Sequence, residues 1–99
     1  MSTELYSAFD GETDTLATLE RSPVTGMFHV TRFSGRRMET HAFDWLPDAA
    51  HWLIGILGTF EDECAPGATA ALDAIASQVD GVEVYDAGDG PFLLDTEED

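Results

Sequence analysis

Hydrophobic and polar positions alternate along the first half of the chain and switch to a helical period in the second. Leu5 to Phe9 is a short apolar run that ends at the turn pair Asp10-Gly11. Thr13 to Glu20 is rich in Thr and Leu and roughly alternates, and Pro23 and Gly26 bracket a turn. From Met27 to Phe33 the alternation is clean. Phe28, Val30 and Arg32 fall on one side, and Met27, His29, Thr31 and Phe33 on the other. Ser34-Gly35 is a hairpin signal, and Arg36 to Phe43 returns as a further alternating strand. This pattern predicts a meander of three to four antiparallel strands. Counting outward from Ser34-Gly35 sets Phe33 opposite Arg36, which offsets His29 from His41 and sends them to opposite faces.

After Phe43 the period lengthens. Ala49, Trp52, Leu53, Ile56, Leu57 and Phe60 follow the i, i+3, i+4, i+7 rule of one helix face. Asp44 is placed to cap that helix, Pro47 suits its first turn, and Asp48 favours the positive end of the helix dipole. Trp52, Leu53, Ile56 and Phe60 are expected in the core against Phe28 and Val30. Gly55 and Gly58 weaken the helix, and close approach to another backbone is the expected reason. Glu61-Asp62-Glu63 ends it. Pro66-Gly67 separates a second helix, Ala68 to Val79, with Gly81 as a C-cap residue. Val82 to Tyr85 and Phe92 to Leu94 read as a terminal strand or hairpin. The expectation is a two-layer α+β domain over residues 1–95, with helices on one face of an antiparallel sheet and an acidic tail at 96–99.

Charge changes the picture more than any motif does. The chain has 20 Asp and Glu against four Arg and no Lys, a formal charge of -16 in 99 residues. With 43% apolar residues it still supports a small core and is not a disordered acidic tail. Such a surface repels nucleic acid and anionic lipid and suits a basic partner. The four arginines, Arg21, Arg32, Arg36 and Arg37, lie in one island that also holds His29 and His41. Two readings of the island stand. In one, the arginines pair with acids on neighbouring strands. In the other, Arg36 and Arg37 at a hairpin tip reach an anionic patch on a partner or on a second copy.

Candidate chemistry is sparse. The histidines and Cys64 show none of the close ligand spacings of a zinc motif. The loop from Asp86 to Gly90 lacks the alternating ligands and bidentate Glu of a calcium loop. Cys64 is the only cysteine, so no intrachain disulfide forms, and its acidic neighbours raise a thiol's pKa, the wrong direction for a nucleophile. No enzyme, cofactor or metal is expected. Residues 1–14 have neither the basic start nor the apolar run of a signal peptide, and no apolar stretch is long enough to span a membrane, so a cytoplasmic protein is expected.

The acidic clusters are the sequence's candidate binding residues. Glu61, Asp62 and Glu63 rank first, at a helix end. Asp10, Glu12 and Asp14 follow at one hairpin, then Asp86 and Asp89 near the C-terminus. Carboxylates two apart on a strand lie about 6.6–6.8 Å apart on one face, close to the spacing of successive phosphates. The leading expectation is therefore a non-enzymatic protein that imitates nucleic acid. It would occupy the basic groove of a nucleic-acid-binding protein, as inhibitors of the anti-CRISPR kind and toxin-neutralising immunity proteins do as classes. The alternative is a domain adapted to high salt whose acidity serves hydration alone. Asp outnumbering Glu, with no Lys and no Asn, fits that alternative equally well.

Overall fold

The computed structural model describes residues 3–63, 67–87 and 90–95. The elements run β1 (Thr3–Asp10), β2 (Thr15–Arg21), β3 (Phe28–Ser34), β4 (Arg37–Phe43), α1 (Leu46–Leu57), α2 (Ala68–Ala76), β5 (Val82–Ala87) and β6 (Gly90–Asp95). The first four strands form an antiparallel meander in chain order, and β5 and β6 form a separate hairpin. The expected α+β arrangement is what the chain adopts. It is a slab measuring 43 × 35 × 18 Å, thin enough for two layers.

Alternation gives the large sheet two different faces. Ala17 and Leu19 of β2 and Phe28 and Val30 of β3 point inward, where they meet Ala49, Ala50, Leu53 and Ile56 of α1 and Leu72 and Ile75 of α2. A bulge between Glu4 and Tyr6 inserts an extra residue in β1, so Leu5 and Tyr6 both contribute to the core. The β5–β6 hairpin rests on the two helices and seals the core with Leu93.

The outward face is built of cross-strand rows. Phe9, Leu16, Phe33 and Met38 are register partners across all four strands. Ser7, Thr18, Thr31 and Thr40 form the next row, in which the Thr31 and Thr40 hydroxyls lie 3.2 Å apart. Glu4, Glu20, His29 and Ala42 make the last.

Several local expectations are corrected. The β3–β4 turn is Gly35-Arg36, with Gly35 at φ +62°, so Ser34 pairs with Arg37 and His29 with Ala42. The register moves by two residues, which leaves every side chain on its expected face. Asp44 does not cap α1. Trp45 occupies that position in extended conformation with no side-chain cap bond. Pro47 in the first turn removes an N–H that a capping side chain would bind. The helix also stops at Leu57, before the acidic run. The amides of Gly58, Thr59 and Phe60 turn back to Ile54, Ile56 and Leu57 at 2.9, 3.0 and 3.1 Å. Glu61 to Glu63 thus lie beyond the helix, where they no longer oppose its dipole. In α2, Ser77 rather than Gly81 is the cap. Gly81, at φ +85°, turns the chain into β5.

Two packing expectations also change. Gly55 approaches no backbone: a β-carbon there would meet nothing within 4 Å. Trp52 is half-buried rather than central. Its ring stacks on His41 with centroids 4.1 Å apart, and Leu53 takes the fully enclosed position.

Candidate functional site

One carboxylate organises the end of the molecule where the β1–β2 hairpin turns. Asp10 closes β1 on the inward face and is fully buried. Its Oδ1 accepts the amide of Glu12 at 3.1 Å and that of Asp62 at 3.0 Å. Its Oδ2 accepts the Thr13 hydroxyl at 2.6 Å and the amide of Glu61 at 2.9 Å. The local half of this set is an Asx turn, in which an Asp side chain binds the amide two residues on. The distant half pins the irregular segment after α1 to the hairpin. Burial pushes the Asp10 carboxyl up, but the Thr13 hydroxyl and the amides of Glu61, Glu12 and Asp62 outweigh it, so the group lies below the ordinary carboxylate value.

The two leading acidic clusters of the sequence therefore form one surface. Glu12 and Asp14 are exposed in the turn, and Glu61 and Glu63 are exposed on the segment that Asp10 holds against it. Asp62 is half-buried, its carboxylate lying over Gly11, where an added β-carbon would stand 3.6 Å from Oδ2. Asp14 adopts φ +53°, a left-handed conformation that Asp tolerates in turns. Asp10 is corrected from surface candidate to clamp, because its oxygens are committed inside. The strand-spacing basis for phosphate imitation is corrected too: residues 11–14 are a turn, so Glu12 and Asp14 do not stand in a row along a strand. Asp86 lies in β5 opposite Pro91. Asp89, Cys64 and the tail at 96–99 lie outside the described residues.

The arginines also depart from expectation. Among the described residues none of them forms an ion pair with an acid. Arg32 stands directly opposite Glu39 in the β3–β4 register without pairing to it, and the only ion-pair contact described is the 3.8 Å approach of His41 to Glu39. Arg21 lies over the Phe28 ring at 5.7 Å. Arg32 and Arg37 border a cleft of about 200 Å³ with Ser34 and Glu39. Arg32 also borders an open cleft of about 320 Å³ with His51, Trp52 and Thr59. Arg32 Nε is shut off from solvent with no acceptor. The basic island is legible in the sequence but this groove is not, because its helix-side wall comes from α1.

Among the described residues no three metal-ligating side chains converge on one point, and no helix is long and apolar enough to cross a membrane. No family model, curated protein or solved structure matches this chain.

Proposed function

We propose that this protein is a non-enzymatic binding module that engages a basic partner through its hairpin-end acidic surface. The partner class is a nucleic-acid-binding protein, whose cationic groove is complementary to clustered carboxylates. The observation that carries this reading is the Asp10 clamp. By holding the amides of Glu61 and Asp62 against the hairpin, it turns two acidic segments 51 positions apart into one preorganised patch. Charge already fixed in place loses less entropy on binding than charge on a mobile tail.

The test uses an arginine-rich peptide as probe. Glu12→Gln, Glu61→Gln and Glu63→Gln together remove three exposed charges at constant shape. Calorimetry from about 50 to about 300 mM salt should show affinity falling steeply for the native chain and a shallower slope with weaker binding for the triple variant. A flat profile, or a variant that binds as tightly as the native chain, rules the reading out.

A second reading is favoured by the spread of the other acids. Glu4, Asp48, Asp73, Asp80 and Glu83 are exposed on elements away from the patch, as a surface built for hydration in concentrated salt would have them. A chain that unfolds at about 0.1 M salt, where repulsion between its charges still reaches over roughly 10 Å, and folds in molar salt belongs to that second class.

A further inference from the structure

We infer that the open face of the β1–β4 sheet docks a second copy of this chain, face to face, about a two-fold axis parallel to the strands and midway between β2 and β3. The face is apolar at one end: Phe9 is 54% exposed, Phe33 38% and Met38 66%. Among the described residues no element packs against it, since both helices lie on the inward face. It is also nearly free of acids in a chain where one residue in five is acidic. Its carboxylates, Glu4 and Glu20, both stand in the last row.

The row order makes this face complementary to itself. The proposed axis lays β2 of one copy over β3 of the other and β1 over β4, with like ends together. Leu16 then meets Phe33 of the second copy, Phe9 meets its Met38, and Thr18 meets its Thr31. Glu20 stands over its His29. At the hairpin end, the acidic turn with Glu12 and Asp14 comes over the turn that carries Arg36. These turns are neighbours within one chain, joined by the Gly35 amide to the Asp14 carbonyl at 3.4 Å. Arg36 has no ion pair of its own among the described residues, so it is available to a second copy. Aligned packing of two twisted sheets is an ordinary sandwich geometry.

Size and charge set the conditions. Four strands about 4.8 Å apart and seven residues at about 3.4 Å each make a face of about 19 by 24 Å. Two such faces bury on the order of 900 Å², less than the roughly 1,200 Å² of stable specific interfaces, so the dimer is weak and concentration-dependent. Two copies of charge -16 repel each other. The screening length shrinks from about 8 Å at physiological salt to about 3 Å at 1 M, so added salt strengthens this association. Capture of a basic partner has the opposite salt dependence, and the dimer does not rest on that reading.

Sedimentation velocity of the full chain, over about 10–300 µM in about 0.1 M and about 2 M NaCl, tests the inference. The expected result is a dimer fraction that rises with both concentration and salt. Phe33→Asp should raise the dissociation constant by at least about tenfold, with the fold checked by circular dichroism. Met38→Asp, at a more exposed site, should act in the same direction and serves if Phe33→Asp fails to fold. Arg36→Glu should weaken the dimer, and adding Glu12→Arg should restore it. A monomer at the highest concentration in 2 M NaCl overturns the inference. So does a dimer untouched by both Asp variants, which would be joined elsewhere, such as along the β4 edge.

Discussion

The carboxylate of Asp10 accepts the backbone amide of Glu61 at 2.9 Å across 51 positions of sequence. Two of the acidic segments that charge patterning marks as separate are joined by Asp10, a buried member of one of them that no partner can reach. The contact is structural chemistry at the base of a candidate binding surface, and it can be broken without altering that surface's exposed charges.

Replacing Asp10 with Asn removes a charged acceptor and turns one of its two oxygens into a donor facing amides that also donate. The melting temperature should fall. The amides of Glu61 and Asp62 should exchange with solvent faster, while those of β2 and β3 keep their relative protection. Hydrogen exchange read residue by residue by NMR checks this. Unchanged exchange at Glu61 and Asp62 would show that the clamp does not hold the segment.

The same group sets a pH dependence. Its folded-state pKa is depressed, so the unfolded chain binds more protons as pH falls. The stability it supplies is complete above the unfolded value of about 3.9 and is lost as pH drops through the lower folded value. The stability difference between the native chain and Asp10→Asn should therefore be constant from neutral pH down to about 5 and shrink below about 4. Denaturant melts of both proteins across that range measure it, with the remaining acids common to both.

Gly55 offers a gain. It lies inside α1 at an exposed position with empty space where a β-carbon would go. Gly55→Ala should stabilise the domain by about 1 kcal/mol, raising the denaturant midpoint with an unchanged slope. A destabilised variant would mean that the space beside the Arg32 cleft is occupied.

Leu53 is the central test of the core. It is fully buried between the sheet and the second layer, and Leu53→Ala should cost about 2–5 kcal/mol. Trp52→Ala should cost less than a buried tryptophan ordinarily does, because the ring is half-exposed and stacks on His41. Equal losses for the two variants would put Trp52 back in the core.

Much of this architecture is legible in the chain. Alternation in Met27 to Phe33 assigns Phe28 and Val30 to the core face and His29, Thr31 and Phe33 to the open one, and the structure keeps that assignment although the hairpin register moves by two. Period-2 facing survives an even shift, so an error in the turn does not reach the core. The helical stripe of Ala49, Leu53, Ile56 and Leu57 is equally local. Even half of the Asp10 clamp has a local signal, since Asp10-Gly11-Glu12-Thr13 reads as an Asx turn.

The other half does not. Whether Asp10 points out to solvent or in to the amides of Glu61 and Asp62 depends on the path of the chain after α1, and nothing near Asp10 in sequence specifies that path. The same holds for the arginines: composition predicts abundant acids to pair with, but only the placement of β3 and β4 against α1 leaves Arg32 between two clefts with its Nε unpaired. Gly55 reads as a close-packing residue until the tertiary structure shows open space beside it. Charge, periodicity and the apolar face of each element are legible in the chain alone, because they follow from neighbours within a few residues. Which acids are buried and which stand together emerges with the assembled fold, because hydrogen bonds between distant segments depend on where the loops carry them.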